Sequence, residues 1–114
     1  MNVDGRWRIV EMELWDREAI ELLGPAFFKV GPGHQGSFRF IAVKGWMDIR
    51  AVDGSPDIEF SWKGRNECDE ASGRGWATLS SDGSLTGRIY FHGGDDSGFR
   101  AVRPANSSQS CKRR

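Results

Sequence analysis

Residues 75–91 read GWATLSSDGSLTGRIYF, two alternating runs on either side of Ser80-Ser81-Asp82-Gly83-Ser84 with Asp-Gly at the tip. Asp-Gly between two such runs is the strongest short-range signal for a β-hairpin, because the tight turn needs residues that accept positive φ. Gly75, Ala77 and Leu79 share one side of the first run, with Arg74, Trp76 and Thr78 on the other. In the second run Leu85, Gly87, Ile89 and Phe91 face inward, and Thr86, Arg88, Tyr90 and His92 face outward. A hairpin with one apolar face is not stable alone in water, so the rest of the chain has to cover it.

The covering material is more of the same period-two pattern. Residues 57–62 place Ile58, Phe60 and Trp62 against Asp57, Glu59 and Ser61. Residues 37–43 alternate Phe38, Phe40 and Ala42 with Arg39 and Ile41, and Lys44-Gly45 reads as a tight connection into a strand over 46–52. There Met47, Ile49 and Ala51 form the better inward set. Residues 26–30 make a short strand, 99–103 a last one, and 31–36 and 53–56 read as turns. Residues 6–15 open the fold as a strand that is apolar on both parities or bulged near Ile9. Asp16 then N-caps a short helix through Leu23, with Ala19, Ile20, Leu22 and Leu23 as its apolar side and Gly24-Pro25 as its stop. Residues 63–72 contain no apolar run and read as a polar crossing.

This pattern predicts an all-β antiparallel barrel or flattened barrel of seven or eight strands, with the helix at 16–23 capping one end. A two-layer sandwich is the alternative, since a long open sheet would leave one face and two edges bare. With 114 residues there is room for one core, built from 38% hydrophobic residues that include five Trp and seven Phe. Residues 1–103 make the single domain, and 104–114 read as a tail because they carry no apolar anchor.

Charge excludes more than it suggests. Formal net charge is zero. Residues 1–103 carry 13 bases against 16 acids, and Lys112, Arg113 and Arg114 balance them. No field of one sign draws in nucleic acid, so none is expected as a partner. No run approaches a membrane span and no leader pattern opens the chain, which disfavours a membrane partner and makes cytoplasm the expected location. Two cysteines, Cys68 in the polar crossing and Cys111 in the tail, fit a reducing compartment better than a bridge.

The chemistry-bearing residues sit in the polar segments. His92, Asp95 and Asp96 are valid ligand types for a divalent ion, although their spacing matches no defined signature and an acidic glycine turn reads first as a plain hairpin end, then as an ion-paired polar network. Glu67, Asp69 and Glu70 supply carboxylates for acid–base work, and Arg65 and Arg74 flank them closely enough for structural ion pairs instead. Cys68 stands among acids that oppose thiolate formation. Nucleophile-elbow, Walker and dinucleotide motifs are absent, so no cofactor is implied. In a meander, Glu67, Asp69, Arg74, His92, Asp95 and Asp96 are expected at the end opposite Asp82-Gly83, with Arg74 paired to Asp95 or Asp96.

Two resemblances accompany these readings. Gly5-Arg6-Trp7 before a short helix and a meander resembles the start of lipocalin-type barrels. Residues 59–64 (EFSWKG), 72–77 (SGRGWA) and 92–99 (HGGDDSGF) resemble a group of small uncharacterised bacterial proteins over most of residues 6–103, with Cys68 out of pattern. That likeness implies a bacterial source and lends no activity. The functional expectation is therefore a non-enzymatic binding or structural domain, taking a small apolar ligand in the barrel or a protein partner on an exposed face. The competing class is an acid–base hydrolase or isomerase using Glu67, Asp69 and His92. A homodimer is expected, through sheet edges or through Trp46 and Trp76, which share a parity with charged neighbours.

Overall fold

The computed structural model describes residues 3–51 and 57–104. Eight antiparallel strands follow one another in chain order and close into a barrel. They are β1 (Gly5–Met12), β2 (Phe27–Val30), β3 (Gln35–Phe40), β4 (Val43–Ala51), β5 (Ile58–Asn66), β6 (Asp69–Leu79), β7 (Leu85–Phe91) and β8 (Asp96–Val102), with one helical turn, α1 (Arg17–Ile20), between β1 and β2. β1 closes the sheet by pairing with β8, from Arg8 opposite Val102 to Met12 opposite Phe99. Closure leaves no long free edge, which removes the sandwich and also the edge-to-edge route to a dimer.

β1 shows how the first strand is apolar on both parities. Its register against β8 shifts between Ile9 and Glu11, so Trp7, Ile9 and Met12 all reach the interior. One extra residue at Val10 reverses the parity there, as a bulge does. Beyond the last ladder pair, the Glu13 amide donates to the Gly98 carbonyl at 2.9 Å.

The interior is packed by a repeated device. Each of four inward aromatic residues stands directly across the sheet from a glycine: Phe38 from Gly45, Phe60 from Gly75, Trp62 from Gly73 and Phe99 from Gly87. A β-carbon on Gly45 would lie 2.4 Å from the Phe38 ring, and one on Gly75 would lie 2.5 Å from the Phe60 ring. The missing side chains are thus the space the rings occupy. Phe28 sits at the centre, with ring centroids 5.1 Å from Phe99, 5.6 Å from Phe60 and 6.5 Å from Phe38. Small residues opposite large ones are how the interior of a small barrel is filled.

Several expectations change in detail. The β3–β4 connection is Ile41-Ala42, not Lys44-Gly45; Phe40 pairs with Val43, and Gly45 lies within β4 as the seat of Phe38. Ile41 takes φ 55° there, and its amide donates to the Ile20 carbonyl at 2.8 Å. α1 is a single turn capped by Asp16, whose carboxylate accepts from the Ala19 amide. It buries Ile20, while Leu22 and Leu23 are exposed, so the apolar side expected through Leu23 does not form. Residues 63–72 are no loop. β5 and β6 run through them as a ladder to Asn66 opposite Asp69, because backbone pairing needs no apolar side chain at the rim. The turn expected at 53–56, Cys111 and the tail from 105 onward lie outside the described residues.

Candidate functional site

The outer surface of β4–β7 is a grid fixed by strand register. One row runs Trp46–Lys63–Ser72, and His92 adjoins it through its amide, which donates to the Ser72 carbonyl at 2.7 Å. The next row runs Asp48–Ser61–Arg74–Tyr90–Asp96, and the one beyond runs Arg50–Glu59–Trp76–Arg88. Neighbours in a row are about 5 Å apart. These outward positions alternate with the buried Met47, Ile49, Phe60, Trp62, Gly75 and Ile89, so the parity that fills the core also fixes which side chains line this face.

Ser61 and Ser72 are the short side chains at the middle of the grid. Three adjoining depressions share Ser72, with volumes of about 710, 700 and 560 Å³. Trp46 walls the first two, and Arg74 with Tyr90 walls the third. Trp46 is 59% exposed and Trp76 is 40% exposed. By contrast, Trp7 and Trp62 are buried with their indole N–H groups on the Val3 and Tyr90 carbonyls, at 2.9 and 3.1 Å. Buried indoles are satisfied and fill space; the exposed ones are left with an uncovered apolar face.

Electrostatics divides this face in two. Arg88 is committed, donating to Asp96 through Nη1 and meeting Glu13 Oε1 at 3.0 Å through Nη2. Its pKa is raised, first by the Asp96 hydrogen bond and then by Glu13. Asp48 is held by Arg50 at 3.1 Å. Lys63 and Arg74 carry no ion pair among the described residues; Arg74 instead lies over the Tyr90 ring at 5.9 Å.

The six residues expected as a polar site are distributed as follows. Glu67 occupies the two-residue β5–β6 turn at φ 57°, and its amide donates to the Ala42 carbonyl at 3.0 Å. Asp69 begins β6 opposite Asn66. Ser72, the neighbour of His92, lies three positions further along β6, about 10 Å away. His92 and Asp95 lie in the β7–β8 turn, where the Asp95 carbonyl accepts from the Phe91 amide. Topology does set both turns at the end opposite Asp82-Gly83. The expected pairing of Arg74 with Asp95 or Asp96 does not form: among the described residues Asp95 makes no ion pair, and Asp96 is taken by Arg88, with Tyr90 standing between it and Arg74. Among the described residues no three His, Cys, Asp or Glu side chains come together as a group able to hold a metal ion. Cys68 is exposed in the β5–β6 turn.

Sequence reasoning passed over Lys63, Ser61 and Ser72. The signal was available as parity: Ser61 and Lys63 alternate with Phe60 and Trp62, and Ser72 alternates with Gly73. No family model matches the chain, and neither a curated protein nor a solved structure matches it. Among the described residues no helix is long and apolar enough to cross a membrane.

Proposed function

We propose that this protein is a non-enzymatic binding module that takes its ligand on the outside of the barrel, on the β4–β7 face, and not in its interior. One observation carries this reading: the inward aromatics occupy the space above their glycine partners, while Trp46 stands exposed beside the Ser61–Ser72 depressions and Trp76 beside a further hollow with Glu59, Arg74 and Tyr90. Large aromatics held on a rigid sheet with one face uncovered supply contact area at little entropic cost. The acid–base alternative draws no support from Glu67, Asp69 and His92: among the described residues no three His, Cys, Asp or Glu side chains gather, and the strand neighbour of His92 is Ser72, three positions along β6 from Asp69. Self-association is the second reading. With the edges closed it rests on Trp46 and Trp76 alone, and light scattering of wild type and of Trp46→Ala/Trp76→Ala decides it by a twofold difference in mass.

Titration with a fluorescent fatty acid separates outside from inside. No saturable binding is expected. One molecule bound per barrel, unaffected by Trp46→Ala and Trp76→Ala, would overturn the proposal in favour of an interior carrier.

A further inference from the structure

Building on the outer-face reading, we infer that two depressions meeting at Ser61 and Ser72, one walled by Trp46 and Lys63 and the other by Arg74 and Tyr90, together form a site for an anion joined to a flat ring through a hydroxylated linker, the chemistry of a nucleoside monophosphate. Lys63 and Arg74 would hold the anion. Both point outward from adjacent strands, diagonally related across Ser61 and Ser72, so their flexible chains can converge above those two serines. Neither is neutralised by a carboxylate among the described residues, in contrast to Arg88 and Arg50 on the same face. An unpaired lysine and arginine over hydroxyl donors is suited to a phosphate, which accepts several charge-assisted hydrogen bonds at once.

The ring is placed by Trp46. It is Lys63's direct neighbour on β4, about 5 Å across the sheet, and its exposed indole face is free to stack. A sugar between ring and phosphate would then lie over Ser61 and Ser72, whose hydroxyls donate and accept. Tyr90 and His92 close the far side. The depression beside Trp46 and Lys63, near 710 Å³, is by itself in the range that drug-sized ligands fill.

Charge also limits how long the ligand can be. Glu59 lies beyond Ser61 on β5, and Glu70 precedes Ser72 on β6, opposite Arg65. Acids therefore interrupt the face on both sides of the Lys63–Arg74 pair. A polymer tracking a backbone of phosphates needs an unbroken basic groove, and this face offers a place for one phosphate or two. The favoured source is a free mononucleotide, not a single strand.

Tryptophan fluorescence and calorimetry test the site with four probes: adenosine monophosphate, adenosine, inorganic phosphate and a short single-stranded oligoadenylate. Adenosine monophosphate is expected to quench the indole emission and to bind at least tenfold more tightly than adenosine or phosphate. Lys63→Ala and Arg74→Ala should each weaken it about tenfold, the loss of one charge-assisted contact. Trp46→Ala should abolish the quench, while Arg6→Ala, on β1, should leave binding and melting temperature unchanged. Oligoadenylate binding tighter than the monophosphate, with a salt dependence that grows with its length, would overturn the mononucleotide assignment in favour of a single strand. Failure of all four probes would overturn the ligand chemistry. If the Trp46→Ala/Trp76→Ala variant still differed from wild type in mass, the outer-face reading would survive that failure.

Discussion

Gly75 stands opposite Phe60 across the β5–β6 ladder, and a β-carbon on it would lie 2.5 Å from the Phe60 ring and 2.4 Å from the Arg88 carbonyl oxygen. The glycine is required here by space, on both its ring side and its backbone side. Gly75→Ala should therefore destabilise the barrel by about 1–3 kcal/mol, the usual cost of overpacking a filled core. Chemical denaturation measures it, and an unchanged midpoint would show that Phe60 can move aside.

Arg88 ties three strands together. It rises from β7, donates to Asp96 on β8 and reaches Glu13 beyond the end of β1, whose Oε1 also accepts from the Gly98 amide at 3.3 Å. Arg88→Met should lower the melting temperature and speed hydrogen exchange at the amides of Leu14 and Gly98, which are bonded in the same corner. The difference from wild type should narrow in high salt, because part of it is charge attraction at a solvated site. Equal exchange rates in both proteins would mean that the backbone closes β1 onto β8 without help.

At the β6–β7 tip, Asp82 Oδ1 accepts from both the amide and the hydroxyl of Ser84, at 2.9 and 2.6 Å. These bonds favour the ionised carboxylate and lower its pKa below the ordinary 3.8. A depressed folded-state pKa adds stability that is present above the unfolded value and lost as pH falls through the folded one. Wild type should thus exceed Asp82→Ala in stability at pH 6, and the gap should shrink as pH is lowered below 3.8. Urea midpoints of the two proteins across that range provide the check; a gap independent of pH would point to turn geometry alone.

Glu67 adopts φ 57° in the β5–β6 turn with its side chain exposed. The left-handed region costs an ordinary residue about 1 kcal/mol, which glycine avoids while losing somewhat more chain entropy. Glu67→Gly should leave stability level or raise it by up to about 0.5 kcal/mol. A clear loss of melting temperature would reveal a role for the carboxylate in holding the hairpin end.

Much of this protein follows from local pattern alone. Period-two alternation located the strands, the Asp82-Gly83 tip set the register of β6 against β7, and the mixed parity of residues 6–15 pointed to the bulge that brings Trp7, Ile9 and Met12 inward together. The exposure of Trp46 and Trp76 was legible for the same reason, since a strand's two faces are written in alternate letters.

What only the tertiary structure decided depends on which strands lie side by side. Gly45 carries the local signature of a turn, and nothing near it in sequence announces the Phe38 ring that needs its space. Residues 63–72 contain no apolar run, yet they pair because β4 and the hairpin itself supply backbone partners at the rim. Arg74 and Arg88 are alike as letters; the β7–β8 pairing supplies Asp96 and closure of the barrel supplies Glu13 to one, while the other lies over Tyr90. Alternation reports burial one strand at a time, whereas ring against glycine and charge against charge are properties of neighbouring strands, fixed only when those strands pair.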